Sequence, residues 1–422
     1  MNSEYSPLSE VADVVDSLHK TPSYTGQGFP MVRVTDVKYG ELLLEGTQKV
    51  DEQTYMEFSR RYMPKWGDII ITRVGTYGVT ARVVDTEFCL GQNTAAIIPR
   101  TINSRYLYVA LNSSQLRSQI ESSVVGSTQK TLSLKCINAL QIPRLGEFAE
   151  TKIAELMGAL DDRIALLRET NATLEAIVQA LFKSWFVDFD PVHARARGEE
   201  PAGLAPEVAA LFPDSFEESE LGKVPKGWCY STVEQSFILT MGQSPPGNTY
   251  NDTREGLPFY QGRTDFGFRF PTQRVFCTKP TRLAQTRDTL VSVRAPVGDV
   301  NMALEACALG RGVAGVRHPE GHQSFVFYSI RGLKSHFELY DGEGTVFGSI
   351  NKKDFQALPV VLPTALVLQA FESSVAPLDA QIESNELRLR TLADLRDTLL
   401  PRLISGQLRL PEAEAMVREV QE

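Results

Sequence analysis

The sequence predicts an α+β protein: two similar globular modules and two long coiled-coil helices, related as an internal repeat. Three observations carry this. The run GDIIITRVGTYG at 67–78 returns as RDTLVSVRAPVG at 287–298. Leu90-Gly91-Gln92, with Ala95 and Pro99, returns as Leu309-Gly310-Arg311 with Ala314 and Pro319. Gly126-Ser127-Thr128, with Ala139 and Leu140, returns as Gly344-Thr345-Val346 with Ala357 and Leu358, and each half then closes on an apolar heptad helix. Order and spacing recur together at a nearly constant offset, so the chain reads as a duplication.

The first module, 1–148, mixes short β-rich runs with turns. Residues 69–72 and 94–98 read as buried strands bounded by glycine. Residues 106–124 read as one helix from their apolar spacing, and 126–143 return to loop and strand, ending before Pro143. From Ile153 the period changes. Ile153, Met157, Leu160, Ile164, Leu167, Asn171, Leu174, Val178, Leu181 and Trp185 alternate by four and three, a coiled-coil seam within a central helix at 149–190. At 1.5 Å per residue it would span roughly 50 Å.

Residues 191–220, rich in Pro, Glu and Ala, read as a linker with a short helix at 206–211. The second module, 221–367, opens at Pro225-Lys226-Gly227-Trp228, whereas the first starts directly with Tyr5-Ser6-Pro7-Leu8. A distal helix at 368–406 repeats the seam as Phe371, Val375, Leu378, Ile382, Asn385, Leu389, Leu392, Arg396, Leu399 and Leu403. Pro401 is expected to kink or end it. Residues 407–422 read as an acidic tail. Each seam holds one asparagine, Asn171 and Asn385: either a tolerated polar position, or a buried amide that specifies register.

Composition is that of an ordinary soluble globular protein, 42% hydrophobic and 23% charged. The start of the chain lacks a basic, apolar leader, and no segment suits a bilayer. Five scattered cysteines form no CxxC pair, which argues against zinc and disulfides and fits a reducing cytoplasm. The net charge of −9 is unevenly spread: 0 over 1–149, −4 over 150–190, −5 over 191–220, +4 over 221–367 and −4 over 368–422. The acid thus sits in the helices and linker, and the modules are free to meet a polyanion.

Catalytic signatures are missing. Ser244-Pro245-Pro246-Gly247 has glycine where an amino-methyltransferase motif needs an aromatic, and no FxGxG loop precedes it. Residues 126–131 resemble a phosphate loop, but GxxxxGK[ST] would need glycine at Val124 and Gln129. Pro213-Asp214 with Glu220 to Lys223 is one residue out of register for a PD-(D/E)xK nuclease and lies in the linker. The five histidines show no ligand spacing. The chain reads as a binder, with no catalytic residue and no metal site.

Three segments carry a family resemblance. LEAIVQALFKSWFVDFDP at 174–191, LLPRLISG at 399–406, and LFPDSF at 211–216 ahead of Pro225-Lys226-Gly227-Trp228 are similar to the conserved regions of Type I restriction–modification specificity subunits. The resemblance covers essentially the whole chain. It implies two target-recognition domains, each reading half of a split site in double-stranded DNA. It also implies that the helices pack as an antiparallel coiled coil with pseudo-two-fold symmetry, so that the modules meet sites about one helical turn apart. Two methyltransferase subunits would modify adenine with S-adenosylmethionine, and a translocating nuclease subunit using Mg and ATP would join for cleavage. Cofactors and catalysis would belong to those partners.

Side chains in the loops leaving the repeated strands are the candidate DNA contacts. In the first module these are Arg73, Thr76, Tyr77, Gln92, Gln129 and Lys130. In the second they are Gln261, Arg263, Arg294, Arg311, Lys352 and Lys353. Arginine can fork to guanine and glutamine to adenine, although each is equally able to be an ordinary surface side chain. Two rival readings stand beside the DNA reader: a coiled-coil scaffold that binds only protein, and a degenerate methyltransferase or nuclease.

Overall fold

The computed structural model describes residues 4–124, 130–219, 222–341 and 348–421. The chain divides into two compact units, Met1–Leu166 with Leu389–Glu422, and Leu167–Arg388. Each unit therefore takes one globular module and a part of both long helices.

In the first unit the main sheet runs in the order Ala12–Asp16, Thr94–Pro99, Ile69–Thr72, Thr80–Arg82 and Gly40–Glu41, with only the last pair parallel. Ile69–Thr72 is central and wholly buried, which suits a strand apolar on both faces. Its register sets Ile70 opposite Ala96 and Ile71 opposite Ala95. The second unit repeats this as Ile238–Met241, Val313–Arg317, Thr289–Ser292 and Val300–Met302. Leu290 there faces Gly315 and Val291 faces Ala314. The recurring alanines are thus the small partners of large residues on the neighbouring strand.

The repeat extends to single hydrogen bonds. Thr72 Oγ1 accepts from Val79 N at 3.0 Å, and Ser292 Oγ accepts from Asp299 N at 2.9 Å. The backbone of Gly78 donates to Thr72 O and that of Gly298 to Ser292 O, both at 2.9 Å. Both glycines have positive φ, +73° and +90°. A Cβ would stand 2.9 Å from Ile120 Cγ2 in one case and 2.4 Å from Phe337 Cβ in the other. Only glycine fits both the turn and the helix packed against it.

Several expectations need correction. The helix expected over 106–124 is two, Ser104–Leu111 and Ser114–Ser123. Ser113 caps the second by accepting from Leu116 N at 3.3 Å, which outweighs the apolar periodicity that runs through the break. Pro143 lies within the strand Gln141–Arg144, paired only with Glu4–Pro7, so its missing donor is tolerated. The segment 191–220 is more than a linker: it holds the helices Asp190–Ala196 and Pro206–Ala209 and the strand Phe216–Ser219. Phe212 from this segment is buried edge-on against Trp185, 4.9 Å between centroids. The acidic tail is a helix, Leu410–Gln421, with Ala413 and Val417 buried. Its apolar residues recur at a spacing of four, which covers one face although its net charge is negative.

The central helix, Glu147–Phe186, and the distal helix, Ala365–Ile404, each have 40 residues. The seam residues are buried apart from Leu174, Leu181, Leu378 and Arg396, which are half-buried. Pro401 does not stop the distal helix, which passes both Pro377 and Pro401 and ends at Ile404. Burial of Leu399, Leu403 and Ile404 offsets the lost hydrogen bond, and Gly406 with φ +74° turns the chain away. In the first unit Gly158 of the central helix leaves room for the Arg105 side chain, which crosses it to reach Asp162 at 2.5 Å.

Within the second unit, Asn171 meets Asn385 while Trp185 and Phe186 meet Phe371, so the helices run antiparallel. Within the first, Asp161 of the central helix meets Arg396 of the distal helix at 2.9 Å. The asparagine amides form a buried pair: Asn385 Nδ2 donates to Asn171 Oδ1 at 2.8 Å, and Asn171 Nδ2 donates to Glu386 at 3.0 Å. Gln381 completes the set by donating to Asn385 Oδ1 at 2.8 Å. Any slip in register would leave these amides among leucines. Asn385→Leu alone should therefore destabilise the chain by about 1–3 kcal/mol. Asn171→Leu with Asn385→Leu should recover most of that loss, read as urea midpoints of the three proteins.

Candidate nucleic-acid interface

The candidate side chains lie on loops that the backbone gathers at one end of each central strand. In the first unit Arg73 N donates to Asn93 O at 2.8 Å, and Leu132 N donates to Arg73 O at 2.8 Å. The loops at 73–79, 91–93 and 130–132 are thereby tied at one residue. In the second unit Val293 N donates to Gly312 O at 2.9 Å, and Ile350 N to Val293 O at 3.1 Å. A fourth loop joins there, because Gly310 N donates to Tyr260 O at 2.8 Å. Val293 stands in the second copy where Arg73 stands in the first, and the clamp is backbone only. Side chains at the loop tips can therefore differ between modules at no cost to the fold.

Arg73 belongs to that clamp. Its Nε donates to Leu132 O at 3.2 Å, its Nη1 pairs with Asp16, and the residue is buried. We assign it to the fold, and its counterpart Val293 carries no charge at all. Thr76 is exposed. Tyr77 donates its hydroxyl to Glu121 at 2.8 Å and accepts from Lys130 Nζ at 3.3 Å, with the ammonium 5.7 Å from its ring. Gln92 is half-buried and donates to Thr21 at 3.4 Å. Gln129 lies outside the described residues.

In the second unit Gln261, Arg294 and Arg311 are exposed on the gathered loops. Arg263 is exposed too but pairs with Asp299 at 2.8 Å. Lys352 and Lys353 sit on the short helix Lys352–Gln356 that follows the clamp. The structure thus brings Gln261, Arg294 and Arg311 together, and separately Tyr77 and Lys130.

The second module is held on the helices by a group that the pattern of seam residues did not reveal. Arg269, 1% exposed, pairs through Nη2 with Glu175 of the central helix and with Asp379 of the distal helix, the latter at 3.2 Å. The same nitrogen donates to the Tyr328 hydroxyl at 2.6 Å, and the guanidinium lies 4.2 Å over the Phe327 ring. Arg331 adds a second contact to Glu175 at 2.5 Å, and Ser324 Oγ donates to Asp379 at 2.7 Å. Burial works against the charge on Arg269, but Asp379, Tyr328 and Glu175 outweigh it and hold its pKa above the ordinary value. Burial also raises the Asp379 carboxyl. Glu372, two turns before it, accepts from Phe325 N at 2.8 Å and is pushed up to about 7, burial again being the main cause.

His318, Glu320 and His322 present ligand atoms within 4.8 Å of one another. His318 Nδ1, however, accepts from Glu320 N at 3.1 Å, so the proton of the neutral ring is on Nε2. Burial first, then His322, lowers the pKa of His318 and favours that neutral form. The cluster reads as a turn that caps itself.

Replacing Arg269 by Met should cost about 3–5 kcal/mol, since Asp379 is left buried without its cation and Glu175 keeps only Arg331. Adding Glu175→Gln and Asp379→Asn should recover part of it. Trp185 and Trp228 fluorescence reports the transition, as both are buried in this unit. Glu372 makes a pH prediction. Its folded pKa is raised above the unfolded one, so its contribution is full below about pH 4.5 and lost as pH rises through about 7. The parent should lose roughly 3 kcal/mol relative to Glu372→Gln between those limits. Parallel stability curves for the two proteins would refute the assignment.

Comparison with known proteins agrees with this geometry. Residues 2–176 match the family model described as the Type I restriction modification DNA specificity domain. The putative type I restriction enzyme MjaX specificity subunit of Methanocaldococcus jannaschii is 26% identical over 395 residues, 91% of this chain and 88% of the relative. The type I restriction enzyme MjaIX specificity subunit of the same organism is 23% identical over 429 residues, 96% and 92% of the two chains. The crystal structure of a Type-I restriction-modification system S subunit from M. genitalium shares the fold, with a TM-score of 0.60 over 96% of each chain at 14% identity. Residues 2–176 are thus similar to the Type I restriction modification DNA specificity domain, and most of the chain is similar to proteins named as Type I specificity subunits.

Proposed function

We propose that this chain is the non-catalytic DNA reader of a Type I restriction–modification complex, each module recognising one half of a split, asymmetric site. The observation that carries this is the contrast between skeleton and tips. Two sheets share strand order, register and loop clamp, while the side chains at the clamp differ: exposed Thr76 and Lys130 with half-buried Tyr77 in one, exposed Gln261, Arg294 and Arg311 in the other. Base edges are read by side chains, and phosphates only position. A duplicated frame with divergent tips suits two different half-sites.

The reading extends to partners. Two methyltransferase subunits would bring S-adenosylmethionine and the chemistry at adenine N6, and a nuclease subunit would bring ATP and Mg. A scaffold role is less favoured, because it gives no reason for exposed Arg and Gln to gather at the clamp. Five free cysteines fit a cytoplasmic setting. Among the described residues, no helix is long and apolar enough to cross a membrane.

Single-molecule methylome sequencing of cells expressing the chain with its neighbouring methyltransferase tests the reading. A split motif with N6-methyladenine in both halves should appear only when the chain is present. Arg294→Ala should then relax base choice in one half and leave the other unchanged. Loss of methylation at both halves equally would mark Arg294 as a positioning contact, and no chain-dependent motif would return the scaffold.

A further inference from the structure

Aromatic–cation pairs line one edge of the first unit. Lys130 lies over Tyr77 at 5.7 Å, Arg117 over Tyr39 at 4.7 Å, and Arg82 over Trp66 at 5.9 Å. The topology puts them in sequence. Tyr77 is in the loop that enters the strand Thr80–Arg82, and Tyr39 directly precedes its edge partner Gly40–Glu41. Trp66 closes the line beside Arg82. Tyr39 is 49% exposed and Trp66 71%, values unusual for rings without a partner surface.

The far end of this line is a rigid knuckle at 60–66. The buried Asp68 carboxylate accepts from the Tyr62 hydroxyl at 2.8 Å and from Lys65 N at 2.9 Å, which pins the loop from within. Arg60, Arg61 and Lys65 are exposed, and among the described residues none has a carboxylate within ion-pair distance. Along the whole line, again among the described residues, the cations face only two carboxylates, Glu41 and Glu121, although residues 1–149 sum to zero charge. Cationic charge has been segregated to this edge. The matching loop of the second module is built differently: Arg60, Arg61, Lys65 and Trp66 correspond to Pro280, Thr281, Gln285 and Thr286, and its exposed cations, Lys279 and Arg282, have no ring paired with them among the described residues. Its cation–π pairs among the described residues are made by Arg269 and Arg331 and belong to the anchor on the helices.

We propose that this edge of the first unit is a sequence-independent grip on the phosphate backbone of duplex DNA, continuous with the reading loop at Tyr77 and Lys130. The inference rests on the DNA-reading function proposed above. Unpaired guanidinium and ammonium groups suit phosphates, and exposed rings flanking them lie against sugars. The chain then divides its labour unequally, with the first unit supplying most of the salt-dependent hold.

The test is fluorescence anisotropy of the full chain, co-purified with its methyltransferase, on a duplex carrying its methylated motif and on a scrambled duplex. The proteins are the parent, Arg60→Ala with Arg61→Ala and Lys65→Ala, and a control with Lys279→Ala and Arg282→Ala. The triple variant should weaken binding to both duplexes by the same factor and lower the slope of log affinity on log salt by about 2.7. Between about 50 and 200 mM salt its affinity should fall roughly forty-fold less than the parent's. The motif read by methylome sequencing and the urea midpoint should not change. An unaltered slope in the triple variant, or a loss as large in the control, overturns the grip while leaving the reader intact. A loss confined to the motif duplex would make these residues readers and overturn it as well. A parent that binds neither duplex in a salt-dependent way takes down the reading function itself.

Discussion

Arg269 sits almost without exposure between a glutamate on one long helix and an aspartate on the other, and the second module hangs on that arrangement. A cation buried between two carboxylates restricts the geometry, because moving it away leaves Asp379 uncompensated in a medium that solvates charge poorly. The module's own core continues directly into the helix pair through Phe182, Trp185, Phe186 and Phe371, which pack with Phe325 and Trp228. Hydrophobic contact supplies adhesion without direction. The ion cluster supplies the direction, and so determines how the gathered loops of that unit are presented relative to the helix segments beneath them.

The first unit solves the same problem with different donors. In the repeat, Asp161 is the counterpart of Asp379 and Tyr108 that of Tyr328. Asp161 takes its arginine from the distal helix, Arg396, and Tyr108 uses its hydroxyl to accept from Gly40 N at 2.7 Å. Arg105 crosses Gly158 to Asp162 and Arg144 holds the buried Glu150 at 2.7 Å. The first module is thus tethered mainly by partly exposed pairs, where the second combines a buried knot with one partly exposed pair, Arg287 to Glu383 at 2.8 Å. Duplication retained the acid on the helix, and each copy found its own cation.

The backbone clamp behind the gathered loops is the part that did not diverge. It is made of backbone donors and acceptors, so its geometry is indifferent to which side chains stand at the tips. Arg73 and Val293 show how far that freedom goes: one position, the same two backbone hydrogen bonds, and side chains as different as an ion-paired guanidinium and an isopropyl group. A frame of this kind lets the side chains at the tips change while the loops that carry them stay in place.

The repeat, the buried strands, both seams and their asparagines were legible in the sequence, because periodicity and spacing report local geometry and a duplicated pattern states it twice. The fate of particular side chains was not. Arg73 and Arg294 look alike as basic residues at the end of a repeated strand, yet one is buried against Asp16 and the other is exposed. Glu175 and Asp379 stand next to seam positions with nothing in their neighbours to mark them as partners of an arginine far along the chain. The expected single helix at 106–124 failed for a related reason, since a capping serine acts through one hydrogen bond that periodicity does not register. Sequence alone determined the repeated central strands and the two long helices, and that they occur twice. Tertiary structure decided which charges are paired inside and which face outward, because an ion pair depends on distance in space, and chain spacing says nothing of that.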